Sequence, residues 1–144
     1  MLIVLGVDDS EHAEVAARHA ITYAAAMDAE LHAVHALHIS GTVVTALASV
    51  PDSVTDFAKA ERESVWSRID PILGDAEPVV HVDLDGYPPD TIAEYADEVG
   101  ADLIVVGSRG RGGVASLILG STSHRLIHIA MTDVLIAREG RAAA

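Results

Sequence analysis

The sequence predicts a single α/β domain: an open parallel sheet with helices on both faces. Three observations carry this. Short apolar runs alternate with longer segments whose apolar residues recur every three or four positions, as in strands joined by crossover helices. The chain's 144 residues suit one domain with its own core. No linker or internal repeat divides it.

Leu2 to Val7 is a continuous apolar run and reads as the first strand, covered on both faces. Ser10 is placed to cap the helix that follows, and Glu11 and Glu14 sit where its dipole favours carboxylates. Ala13, Ala17, Ala20, Ala24 and Met27 form that helix's apolar stripe. Leu31 to Leu37 is the second strand, and the uncharged stretch Ile39 to Val50 reads as a mobile loop beside it. Pro51-Asp52-Ser53 opens a long helix to about Leu73, with Val54, Ala58, Val65, Ile69 and Ile72 inward and Gly74 as its stop. Pro78 to Val82 is the third strand, with a turn at Leu84-Asp85-Gly86. Pro88 and Pro89 start the next helix, striped by Ile92, Ala96 and Val99 and ended by Gly100. Leu103 to Val106 is the fourth strand, Ser121 to about Ala130 a helix, and Val134 to Ala137 the fifth strand. Arg138 to Ala144 reads as a frayed tail.

Composition narrows the function. Half the chain is hydrophobic but only 3% aromatic, so the core must be built from Ala, Val, Leu and Ile. The absence of cysteine removes disulfides, thiolate metal sites and cysteine nucleophiles. A net charge of −13 disfavours nucleic acid and anionic membrane as partners. Leu31 to Pro51 lacks charged residues, but three histidines, Gly41 and several Ser/Thr interrupt it, so no membrane insertion is expected. The N-terminus has no basic region or cleavage site, which reads as no signal peptide and a cytoplasmic location.

In such sheets ligands bind at the carboxyl ends of strands, near the point where strand order reverses. The most informative residues lie there. Gly107-Ser108-Arg109-Gly110 follows the fourth strand, and Gly120-Ser121 comes nine residues later. Leu103 to Thr132 contains no Asp or Glu, where a proportional share of the 22 acids would place about four or five, and it carries Arg109, Arg111 and Arg125. Gly107 and Gly110 permit positive φ and close backbone approach. Gly120-Ser121-Thr122-Ser123 opens a helix whose unpaired amides favour a phosphate. From spacing alone the segment reads equally as a flexible loop and an ordinary serine cap.

Two commoner phosphate motifs do not apply. No Gly-Lys-Ser/Thr ending exists, and the one lysine, Lys59, lies within a helix. A dinucleotide fingerprint fits Gly110 to Ala115, with Asp133 at the expected distance, but it follows the wrong strand.

Ala101-Asp102-Leu103-Ile104-Val105-Val106-Gly107-Ser108-Arg109-Gly110 resembles the signature of the universal stress protein family. Gly107, Gly110, Gly120 and Ser121 match the glycine-serine spacing of its ATP-binding branch. Val7-Asp8-Asp9-Ser10 resembles the family's first turn, and Leu31 to His35 its second strand. The resemblance spans essentially the whole chain. It implies a Rossmann-like five-stranded parallel sheet of order 3-2-1-4-5, a homodimer, and bound ATP with Mg²⁺ or Mn²⁺ at the phosphates. Carried over, Val7 and Asp8 lie by the adenine–ribose end, Val34 lines the adenine pocket, and Val106 and Gly107 underlie the ribose. Arg109, Gly110, Gly120, Ser121, Thr122 and Ser123 surround the phosphates. Asp9 departs from the family's glycine, and Asp133 from its usual proline before the last strand, which bears on the dimer geometry.

Other chemistry is less well supported. Asp8, Asp9, Asp83 or Asp85 and Ser108 resemble a phosphate receiver, but Arg138 stands where that scheme needs a lysine. His124 and His128 share a helix face without an intervening glutamate, and His32 and His38 differ in parity from His35, so these read as surface or hydrogen-bonded histidines. Ser108 is not a nucleophile elbow, and no Ser/His/Asp triad stands out. The function the family resemblance implies is nucleotide-occupancy sensing or signalling in stress response, with at most slow ATP hydrolysis because no lysine sits in the loop. The alternative is a protein-interaction module with a vestigial nucleotide site.

Overall fold

The structure is a computed structural model that describes residues 1–74, 76, 78–110 and 119–140. Five strands, β1 (Leu2–Val7), β2 (Glu30–Leu37), β3 (Val79–Asp85), β4 (Leu103–Gly107) and β5 (Asp133–Ala137), form one sheet. Their order is β3-β2-β1-β4-β5 and every pairing is parallel. The helices are α1 (Glu11–Met27), α2 (Gly41–Leu47), α3 (Ser53–Leu73), α4 (Pro88–Glu98) and α5 (Ser121–Ile129).

Alternation along the central strands creates two cores. Ile3, Leu5, Leu31, Ala33 and Val105 pack with Ala16, Ala17 and Ala20 of α1 and Val65 and Ile69 of α3. Val4, Val34, Ile104 and Val106 face the other way, onto Ile92 and Ala96 of α4 and Leu126 of α5. The alanine face of α1 supplies little side-chain bulk, which suits close approach of this helix to the sheet. Ser10 caps α1 as expected: its Oγ accepts from the Ala13 amide at 3.1 Å. The stripe ends early, since Ala24 is half-buried and Met27 exposed.

Three expectations are corrected. The stretch 39–50 contains a helix, α2, capped by Ser40. It buries none of its residues, and its Gly, Thr and Val content is weakly helix-forming, so neither periodicity nor propensity marks it. Strand β3 runs through Leu84 and Asp85, which pair with Ala36 and Leu37, instead of turning there. As an edge strand with polar His81, Asp83 and Asp85 on one side, it lacks an apolar run's signal. On α3, Leu73 is buried with Val65 and Ile69, whereas Val54, Ala58 and Ile72 are only half-buried. Of the expected tail, residues 138–140 have no regular structure and 141–144 lie outside the described residues.

Candidate functional site

Strand β1 is flanked by β2 and β4, so successive crossovers leave it in opposite directions and open a crevice above its carboxyl end. A small cleft of about 80 Å³ lies there. Its lining includes Val7 and Asp8 from the end of β1, Val106 and Gly107 from β4, then Arg109 and Gly110, with Thr122 and Ser123 from the first turn of α5. Sequence reasoning missed Gly6, Ala13, Ala36, Pro88 and Ile92. Ala36 has the same parity as Val34, one step nearer the strand end, which is the signal that would have found it.

Three expected residues stand outside this lining. Val34 is fully buried in the core. Gly120 is buried behind Arg109 and Gly110, and Ser121 is exposed on α5. Arg111 lies outside the described residues, as does the run from Gly112 to Ala115.

The glycines act through contact rather than positive φ, which among described glycines occurs only at Gly86 and Gly100. A Cβ on Gly107 would stand 2.6 Å from the His12 carbonyl oxygen and 2.7 Å from its carbon, so glycine lets the first turn of α1 cross the end of β4. On Gly110 it would meet Asp8 Oδ2 at 2.7 Å. On Gly120 it would meet the Arg109 Cα at 3.0 Å, so the chain leaving at Arg109 and returning at Gly120 touches itself.

Ser108 holds that junction together. Its amide donates to the Ala137 carbonyl at 3.1 Å, and its carbonyl accepts from the Gly120 amide at 2.7 Å. The buried Ser123 hydroxyl donates to the carbonyls of Ser108 and Gly120, both at 3.1 Å. Gly120 is the N-cap of α5 and supplies no side-chain cap, leaving first-turn amides for a ligand. The Ser10 hydroxyl donates to Asp8 Oδ1, fixing this carboxylate at the cleft floor.

Asp9 braces the turn after β1 against α3. Arg68 Nε donates to Asp9 Oδ1 and Arg68 Nη1 to Glu14 Oε1, each at 2.6 Å, while the Ser64 hydroxyl donates to Asp9 at 2.5 Å. These bonds raise the Arg68 pKa further above its already high value. Next to β1, His35 is buried with Nδ1 3.4 Å from Asp83. Burial pushes its pKa below the ordinary imidazole value, and Asp83 only partly opposes this. His35 faces Trp66 while His32 faces Tyr95, the split that strand parity requires. Trp66 also donates to Asp83 at 3.0 Å.

Fold and cleft together define an open parallel α/β protein with a glycine-lined crevice at its switch point, a class suited to phosphorylated ligands. The model of the universal stress protein family matches residues 1–138, and the chain belongs to that family. Universal stress protein MJ0531 of Methanocaldococcus jannaschii is 30% identical over 138 residues, covering 95% of this chain and 81% of the relative. Some relatives are longer: the chain spans 45% of universal stress protein Rv2005c of Mycobacterium tuberculosis, at 32% identity. Among solved structures, the hypothetical protein MJ0577 superposes with a TM-score of 0.78 at 21% identity, covering 98% of this chain and 97% of its own, a likeness of fold. A universal stress protein in complex with cAMP superposes with a TM-score of 0.72 at 28% identity, covering 97% and 98%.

Proposed function

We propose that the cleft binds an adenine nucleotide, ATP foremost, and that the protein acts as a homodimeric nucleotide-occupancy sensor or regulatory module in stress response, in the cytoplasm. The observation that carries this is the cleft at the carboxyl ends of β1 and β4, lined by Gly107, Arg109, Gly110, Thr122 and Ser123, beside the start of α5, whose N-cap Gly120 supplies no side-chain cap. The first-turn amides left open at such a helix start suit a phosphate chain. The relative solved with cAMP lends support from a protein of the same family.

In this reading Asp8 and Val7 meet the ribose and base end, Val106 and Gly107 underlie the sugar, and Arg109, Gly110, Thr122 and Ser123 approach the phosphates. Gly120 shapes the loop from behind and Ser121 stands at the helix entrance; Val34 supports the base pocket from the core, behind Ala36. Mg²⁺ or Mn²⁺ would neutralise phosphate charge. Among the described residues no group of three or more His, Asp or Glu stands ready as a cage, so the phosphates and water would supply most ligands.

Efficient hydrolysis is not part of the proposal. Lys59, the sole lysine, is exposed on α3 and 3.9 Å from Glu63, so it does not serve the cleft. Asp8 is the carboxylate in the lining, and the hydroxyl of Ser10 already donates to it. The site orients and holds a nucleotide without a lysine to stabilise phosphoryl transfer.

Mass spectrometry of the denatured, purified protein, with calorimetry against ATP, tests the reading. Co-purified adenine nucleotide, or calorimetric binding of ATP at or below millimolar concentration, supports it. No nucleotide and no binding at millimolar ATP would overturn it in favour of a nucleotide-independent interaction module.

A further inference from the structure

Helix α5 carries His124 and His128 one turn apart, both exposed. Their ring centroids are 4.9 Å apart with planes at 62°. Among the described residues, each ring's recorded partner is the other. Several other histidines are already engaged: His32 bonds Tyr95 and Glu30, and His81 bonds Asp70. Arg125, between the pair in sequence, is drawn onto Asp90 by bonds of 3.0 and 2.7 Å, so its charge is answered there.

We propose that His124 and His128 form a chelating site for an imidazole-preferring divalent transition-metal ion, of the class Cu²⁺, Ni²⁺ or Zn²⁺. Metal–nitrogen bonds of about 2.0–2.1 Å require two ligating nitrogens roughly 3 Å apart on one ion. Imidazoles at i and i+4 reach that separation by small side-chain rotations. Imidazole selects these metals over Mg²⁺ and Ca²⁺, which prefer oxygen. The chain has no cysteine to compete for the ion, and its net charge of −13 attracts cations. Among the described residues no third ligating side chain joins the pair, so water completes the shell and the ion stays exchangeable. The site is independent of whether the cleft takes a nucleotide.

Calorimetric titration of the tag-free full chain with NiCl₂ and with ZnCl₂, in a non-coordinating buffer, tests this. One ion per chain is expected, bound more weakly as pH falls because protons compete for the same nitrogens. His124→Ala and His128→Ala should each weaken binding at least about tenfold. The double variant should lose little more than either single one, because chelation needs both rings. His38→Ala, at another exposed histidine, should bind as the parent does. All variants should keep the parent's metal-free melting temperature. An unaltered affinity in the double variant, small additive losses in the single ones, or no binding by the parent would each overturn the proposal.

Discussion

Replacing Gly107 by alanine separates two reasons for a glycine at this position, helix packing and ligand approach. The added Cβ would lie 2.6 Å from the His12 carbonyl oxygen and 2.7 Å from the carbonyl carbon. Ordinary contacts between such atoms fall near 3.5–4.0 Å, so roughly 1 Å of movement is required. The obstacle is backbone in the first turn of α1, which no rotamer change clears. Overpacking of this kind costs about 1–3 kcal/mol. An unfolding entropy of about 2.1 cal/mol/K per residue over 144 residues gives about 0.3 kcal/mol per degree, hence a fall of about 3–10 °C in melting temperature. Circular dichroism melts of the parent and Gly107→Ala read this directly. Gly140→Ala, outside the helices and strands and with nothing within 4 Å of the added atom, should melt within about a degree of the parent. A Gly107→Ala protein that melts like the parent would refute the packing argument and leave only ligand approach as the reason for glycine.

Ser123→Ala should cost about 1–2 kcal/mol, since the buried hydroxyl donates to two carbonyls at the loop junction, and should weaken ATP binding in calorimetry. His35 confers a pH dependence whose sign follows from its lowered folded pKa: between that value and the unfolded value of 6.5 the unfolded chain binds more protons, so stability rises with pH across that window and is lost as pH falls through it. Asp83, Arg62, Asp8 and Trp66 face it from β3, α3 and the turn after β1. Denaturant melts at pH 5.5 and 7.5 should show a steeper loss for the parent than for His35→Gln; equal slopes would contradict this. Arg68→Ala should lower the melting temperature by releasing Asp9 and Glu14, and the difference should narrow in high salt. Sedimentation should give a dimer, and a monomer at all concentrations would remove that part of the proposal.

The sheet was legible because its inner strands are buried on both faces: Ile3 to Val7 and Leu31 to Leu37 announce themselves as apolar runs. Strand β3 was read short because its outer residues are polar at an edge, and α2 was missed because a helix that buries nothing has no stripe to detect. At the site, spacing marked the loop residues that line the cleft. The family resemblance pointed to Val34 and not to Ala36; the two share a face of the strand, and parity names a face but not a depth along it. The role of Asp9 was invisible because its partner Arg68 is distant in sequence, and no local pattern links a turn to the middle of a later helix.

Ile92 and Val106 belong to the packed cluster under α4 and α5 and also line the cleft. One layer of side chains is thus both the inside of the protein and the wall its ligand would touch. A substitution there that fills a void also narrows the crevice, and one that widens the crevice leaves a void. Thermal resistance and ligand preference therefore cannot drift independently at these two positions. Any lineage or library that selects for one will move the other.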